Sequence, residues 1–331
     1  MSSQPIQSAQ YQTVSLASIN LQNDGFRITT REDVDELATS IQHDGLIIPP
    51  TLIRQHSSEN AQFAIVSGFR RVNACRKLGD NDIIARILET DAVPLDCLRL
   101  AIAENALQRQ LNLIETSRAL QKLSSFYDDD VQLARTAGTL GLPANPAILH
   151  KLRNLCLLPW PVQHSILSDS VSLSMAVELQ KLDPDSAVTF ARLFDQLKFS
   201  LSKQKEILTL AAEIAQRENS SIPQVMSNPR LHEIIDNEDL DRAQKGRRIR
   251  SFLRQWRFPR ISQAEKKYQI RHKQLKLGND IKLIPPKDFE GTTYVLNLNF
   301  SNLAELMELR NRLDRLIAHP ILKKIVEDRD A

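Results

Sequence analysis

Two arginines stand side by side in VSGFRRVNACRKLG, residues 66–79, directly after an apolar run and a glycine. Arg70 and Arg71, starting a helix straight after a strand and Gly68, would bring guanidinium forks and helix-end N–H groups together, a common way to hold phosphate oxygens. A helix start with solvated arginines explains the same letters, so the motif needs a companion. IAENALQRQLNLIE, residues 102–115, offers one: Glu104 and Asn105 put a carboxylate beside an amide near the end of an apolar helix. Such a pair can hold Mg2+, and Mg2+ usually comes with phosphates.

The second candidate chemistry is electrostatic. Between Arg242 and Lys276 there are thirteen lysines and arginines against one acid, Glu265, whereas the whole chain carries only +3, so the remainder is acidic. KGRRIRSFLRQWRFPR interleaves Phe252, Trp256 and Phe258 with arginines, a mixture suited to docking on a core while aiming cations at a nucleic-acid backbone. Arg247, Arg248, Arg250, Arg254 and Arg257 are the candidate phosphate contacts. The competing reading is a solvated face whose charge offsets the acidic remainder.

These residues need elements to position them. With 331 residues the chain is long enough for several cores. VSLASI, TLIRQ, QFAIVSG and DIIARIL read as strands; REDVDELATSIQHDG reads as an amphipathic helix ending on Gly45, and RRVNACRKLG as a helix stopped by Gly79. From 94 to 218 the pattern is almost wholly helical, with turns at LGLPANP, LPWP and LDPD. AEKKYQIRHKQLK reads as a helix closed by Gly278, followed by strands at IKLIPP and TTYVLNLNF and a helix at NLAELMELRNRLDRL.

Some classes are set aside. No apolar run approaches the roughly 18 residues of a membrane span, and MSSQPIQSAQYQT lacks the marks of a signal peptide, so the expectation is a soluble, cytoplasmic protein with no membrane partner. Cys75, Cys97 and Cys156 have neither disulfide-framework nor zinc spacing and read as ordinary thiols.

Within the helical stretch, Val131 to Leu140, the turn Gly141 to Ala144, and an Asn145-Pro146 start fit a helix-turn-helix. Ile148, Leu152 and Leu155 are expected to face the core. Asn145, Ala147, His150, Lys151 and Asn154 would then meet base edges, with Arg153 flanking toward phosphates. A plain helical hairpin is the alternative. In the last segment Tyr294, Leu296, Leu298 and Phe300 alternate, and Leu303, Leu306, Leu309, Leu313 and Leu316 form a helical stripe. A unit this small gains a core by pairing with a second copy or by packing on its own chain.

Taken together, SIQHDGLIIPPTLI, VSGFRRVNACRKLG and ENALQRQLNLIE, in this order and followed by a helix-turn-helix, resemble the ParB proteins of bacterial chromosome and plasmid partition. The resemblance implies a multidomain α+β, mostly helical protein. Its parts would be a ParB/sulfiredoxin-like α/β N-terminal domain that binds nucleotide (12–110), an all-helical helix-turn-helix domain (111–218), a basic linker (219–259) and a small C-terminal αββα dimerisation domain (260–331). It further implies CTP and Mg2+ as cofactors, with Gly45, Gly68, Phe69, Arg70, Arg71, Glu104, Asn105 and Arg109 around the nucleotide and Glu104 and Asn105 serving the metal.

The implied partners are double-stranded DNA, a second copy joined through Leu296, Leu298, Phe300, Leu306, Leu309 and Leu313, and a ParA-type ATPase. The implied location is the nucleoid, and the implied function a CTP-gated sliding clamp with possible CTPase activity and no assigned catalytic residue. Departures from the family pattern keep other functions open. Phe69 stands where an acid is usual, Asn73 replaces a basic residue, the third-box arginine comes one place late as Arg109, and Ser174, Met175 and Val177 replace a Gly-His-Ala-Arg run. The alternatives are a ParB-like transcriptional regulator without nucleotide gating and a nuclease or phosphotransfer enzyme. Sulfiredoxin chemistry would need a cysteine in the turn at Gly68, and Cys75 lies in the following helix.

Overall fold

The computed structural model describes residues 9–55, 62–88 and 93–327; the stretch MSSQPIQS at the start lies outside them. Two compact units are present, Met1–Gln196 and Leu197–Ala331. The chain is mostly helical, with a small mixed sheet in the first unit.

That sheet has five strands: β1 (Ala9–Ser15), β2 (Ile19–Asn20), β3 (Thr51–Arg54), β4 (Phe63–Ser67) and β5 (Asp82–Leu88), in the order β1-β5-β3-β4-β2. β5 runs antiparallel to β1 and parallel to β3, while β4 runs antiparallel to β3 and parallel to β2. Two helices cover β4, and all five of its residues are buried. Phe63 and Ile65 pack in one core with Val72 and Cys75 of α2 (Phe69–Leu78); Val66, on the alternate face, packs with Cys97 and Ala101 of α3 (Pro94–Gln108). Strand alternation therefore seats one helix on each side of the strand that leads into GFRR.

Local signals fix the flanking elements. α1 (Asp35–Asp44) ends at Gly45, which takes φ 79°, and α2 ends at Gly79 with φ 84°. The expected helix over REDVDELATSIQHDG starts only at Asp35, leaving Arg31 to Val34 in the preceding loop. VSLASI is not one strand: a 3-10 turn over Leu16–Ser18, held by the Ser15 hydroxyl accepting from Ala17 N, separates β1 from β2.

The helical remainder of the unit is α4 (Leu113–Ser124), α5 (Asp130–Thr139), α6 (Pro146–Leu152), α7 (Trp160–Leu167), α8 (Leu173–Leu179) and α9 (Pro184–Leu197). α4 is the helix on which α5, α6 and α7 pack, and it starts on a capping box in which Asn112 and Glu115 satisfy each other's backbone N–H.

The second unit comprises α10 (Leu201–Glu218), α11 (Ile222–Met226), α12 (Pro229–Asp236), α13 (Arg242–Arg257), α14 (Pro259–Leu275), the hairpin β6 (Ile281–Ile284) and β7 (Val295–Leu298), α15 (Leu303–Ile317) and α16 (Pro320–Glu327). Residues 242–257, read from the sequence as part of a linker, form a helix packed on α10. A Cβ at Gly246 would lie 2.6 Å from Cε1 of Phe199, so only glycine lets these surfaces close. Leu277, Ile281, Leu283, Leu309, Leu316 and Ile325 form the core of the last segment, and Leu296, Leu298 and Leu313 pack against it half-buried.

Candidate functional site

The junction of β4 and α2 is shaped by Gly68. It adopts φ 91°, and a Cβ there would lie 2.8 Å from Cβ of Pro50. The helix that follows has no side-chain cap and no acid in its first turn, so its leading N–H groups have no capping side chain. They border a cavity of about 260 Å³ lined by Ser67, Gly68, Phe69, Arg70, Arg71, Glu104, Asn105 and Arg109, with Thr29, Ile48 and Gln108 among its other walls. The two motifs read as companions in the sequence do meet around one space. Gly45 is not among the lining residues.

The polar side chains here are held by one another. Arg71 donates to the carbonyls of Ile48 at 2.9 Å and Pro49 at 3.0 Å, and forms an ion pair with Glu104. Ser67 Oγ donates to the other carboxylate oxygen of Glu104. Arg70 reaches back to the Asp33 carbonyl through Nε and Nη2, at 3.1 and 2.7 Å. Asn105 Nδ2 donates to Ala101 O of its own helix at 2.8 Å, which leaves the amide oxygen as its acceptor.

Two candidates turn out to have other attachments. Phe69 is buried, its ring within the core that holds Val72 and Cys75. Arg109 lines the cavity, but both its terminal nitrogens bind the fully buried carboxylate of Glu115, at 2.6 and 2.7 Å. Thr30 N, Thr30 Oγ1 and Asn112 N donate to the same carboxylate. Burial alone would raise the Glu115 pKa; the donors from Arg109, Thr30 and Asn112 outweigh it and hold the group below the usual carboxylate range. The sequence reading missed Ser67, although it lies inside the quoted motif, and the loop carrying Thr29 and Thr30, which only tertiary packing brings near.

Burial pushes the thiol pKa values of Cys75 and Cys97 up to about 11, with the nearby acids Asp80 and Asp96 adding to it, so neither is a thiolate at neutral pH. Among the described residues no group of three or more His, Cys, Asp or Glu side chains could by itself hold a metal. Among the described residues no helix is long and apolar enough to cross a membrane.

In the α5–α6 region the Asn145 side chain caps α6, accepting from Ala147 N at 2.9 Å and Ile148 N at 3.3 Å, with Pro146 in the first turn. Ala147, His150, Lys151 and Asn154 are exposed, as expected. The core-facing set needs correction: Ile148 is 41% exposed and Leu149 is buried with Leu152 and Leu155. The helix ends at Leu152 and tightens into a 3-10 turn over Leu155–Leu157, so a constant helical phase does not extend through Leu155. Arg153 is half-buried and faces Asp130 at 3.4 Å.

The basic segment divides. Arg250 pairs with Glu206, Arg257 with Glu213 of α10, each at 2.6 Å, and Arg254 with Glu265 at 3.1 Å. Arg247 and Arg248 are exposed. Of the expected pairing residues in the last segment, Leu309 is buried in its own chain, Leu306 is half-buried, and Phe300 is 51% exposed beside exposed Leu303 and Met307.

Residues 1–106 match the family model of the ParB N-terminal domain. A nucleoid occlusion protein of Geobacillus kaustophilus is 33% identical over 142 residues, 43% of this chain and 47% of that protein. A probable chromosome-partitioning protein ParB of Campylobacter jejuni is 36% identical over 97 residues, 29% of this chain and 33% of that one. The chain thus spans less than half the length of these relatives. The solved structure of C-terminally truncated ParB from Caulobacter crescentus complexed to the centromeric parS site is 20% identical, with a TM-score of 0.34, covering 60% of this chain and 98% of that one. The same protein complexed with CTP-gamma-S is 22% identical, with a TM-score of 0.27, covering 56% of this chain and 98% of that one. The family match thus rests on residues 1–106, which are similar to the ParB N-terminal domain.

Proposed function

We propose that this protein is a DNA-binding partition factor of ParB type whose N-terminal cavity binds CTP with Mg2+ and whose helix-turn-helix contacts double-stranded DNA. The observation that carries the nucleotide reading is the convergence of an uncapped helix N-terminus, Gly68, Arg70, Arg71, Glu104 and Asn105 on one cavity. The match of residues 1–106 to the ParB N-terminal domain supports the same reading.

The residues present suit a triphosphate with Mg2+. Arg70 and Arg71 would exchange their backbone carbonyls for phosphate oxygens, while the first N–H groups of α2 hold another. Arg71 leaving Glu104 would free a carboxylate oxygen in a cavity that Ser67 and Asn105 also line, and Mg2+ commonly takes one or two such protein oxygens and completes its shell with phosphates and water. When bound, the ion would neutralise phosphate charge beside the arginines. Arg109, fixed on Glu115, would hold the end of α3 against the loop at Thr30 rather than bind phosphate itself.

On this proposal α6 presents Ala147, Ile148, His150 and Lys151 to base edges, with Asn154 in the turn that follows it, and Arg247 and Arg248 supply phosphate contacts. Two copies pair through the last segment, where the two-stranded hairpin is short and Phe300, Leu303 and Met307 leave apolar surface exposed. A ParA-type ATPase and the nucleoid complete the proposed setting.

A second reading has its own observation. Phe69, where the family pattern has an acid, is buried in the core, and Arg109 of the third motif is held by Glu115, which suits a nucleotide-independent regulator. Retention on DNA separates the two. A clamp loaded with CTP and Mg2+ stays on closed circular DNA through a high-salt wash and runs off linear DNA; a regulator dissociates from both alike, whether CTP is present or not.

A further inference from the structure

A second cavity, of about 440 Å³, lies wholly within the Leu197–Ala331 unit. One wall is a single face of α14: Arg260, Ala264, Lys267 and Arg271 follow i, i+4, i+7 and i+11. Arg271 is oriented by donating to Lys324 O at 2.8 Å. Among the described residues no Asp or Glu lines the cavity. Arg260 and Lys267, both exposed, give the cavity a positive side.

Aromatic rings complete the lining, Tyr268 from α14 itself and Phe289 and Tyr294 from the segment that follows it. Tyr268 and Tyr294 donate their hydroxyls to Leu283 O at 2.5 Å and Ile325 O at 2.9 Å, which fixes both rings. Phe289 meets Tyr268 edge-to-face, with centroids 5.7 Å apart. Its backbone is held at φ 58° directly after Asp288 at φ 53°, two consecutive non-glycine residues in the left-handed region. Strain of that kind persists where the surroundings impose it, and here it sets an aromatic ring into a cation-lined cavity. Gln263 and Thr292 add side-chain hydrogen-bonding groups to the lining.

We propose that this cavity is a binding site for a mononucleotide, its phosphates on Arg260 and Lys267 and its base against Phe289 and Tyr294. The volume lies in the range of about 300 to 1,000 Å³ usual for small-molecule sites, and a planar base with an anionic group matches both sets of side chains. The site is separate from the cavity at Gly68 and does not depend on the function proposed for that one.

Photolabelling of the full chain with 8-azido-ATP, followed by peptide mapping, tests it. The expected label falls within residues 259–327, is displaced by unlabelled mononucleotide, survives Arg71→Ala, and drops at least tenfold in the double variant Arg260→Gln, Lys267→Gln. Both residues of that variant are exposed, and an unchanged melting temperature checks that it folds. Absence of label from this stretch, or label unaffected by the double variant, overturns the proposal. Displacement by short duplex DNA but not by mononucleotide overturns it too, and assigns the cations to a DNA backbone. Loss of label at the Gly68 cavity alone in Arg71→Ala would bear on the N-terminal reading and leave this one standing.

Discussion

Arg109 grips Glu115 through both terminal nitrogens, at 2.6 and 2.7 Å, while Glu115 also closes the capping box of the helix it starts. One buried carboxylate thus ties together the end of α3, the start of α4 and the loop at Thr30. Removing one member of a buried pair typically costs about 3 to 5 kcal/mol, because the partner is left uncompensated. Arg109 is partly exposed, so Glu115→Gln is expected at the lower end, about 3 kcal/mol, measured by denaturant unfolding. A loss below about 1 kcal/mol would show that the network is dispensable.

The same carboxylate gives a pH dependence. Its folded pKa is depressed relative to the unfolded chain, so its contribution to stability is present above the usual carboxylate range and is lost as pH falls through that range to the depressed folded value. The stability difference between wild type and Glu115→Gln is expected to be constant at neutral pH and to shrink below about pH 4.5. A difference that grew on acidification would contradict the assignment.

Gly68→Ala meets two penalties at once, a left-handed backbone and a Cβ 2.8 Å from Pro50. A destabilisation of about 1 to 3 kcal/mol is expected, with the entry to α2 displaced. Gly79 also has a positive φ, but no atom lies within 4 Å of its added Cβ, so Gly79→Ala is expected to bring backbone strain only. Thermal melts that rank Gly79→Ala as the more damaging change would argue against the close approach at Pro50.

For the basic segment, the ion pairs divide five arginines into two groups with different readouts. Replacing Arg250, Arg254 and Arg257 by Gln should lower the melting temperature, each surface pair contributing about 0.2 to 1 kcal/mol, and leave the salt dependence of non-specific DNA binding nearly unchanged. Replacing Arg247 and Arg248 should flatten the log–log salt slope by about two units with little effect on stability. If the paired trio carried the slope instead, these arginines would leave their glutamates for DNA.

Much of the first unit was legible because its signals are local. Gly45 and Gly79 stop helices, Asn145-Pro146 starts one, and the apolar run in FAIVS marks a buried strand. The phase of α6 was not: seven residues give too short a window to separate Ile148 from Leu149, and the following 3-10 turn resets the register. The Arg250–Glu206 and Arg257–Glu213 pairs join residues 44 positions apart, which no charge count along the chain reveals. The motifs around Arg71 and Glu104 could be matched by chemistry alone, yet the contact that joins them, and the place of Ser67 in it, comes from β4 and α3 packing together.

The central claim is that the cavity at Gly68 takes CTP, and calorimetry of CTP into the full chain with Mg2+ tests it most directly. Saturable binding is predicted, with Arg71→Ala weakening it roughly tenfold to hundredfold, the loss expected for a charge-assisted contact of about 1.5 to 3 kcal/mol. No binding by the wild-type protein in the presence of both Mg2+ and DNA, or equal affinity in Arg71→Ala, would contradict the account.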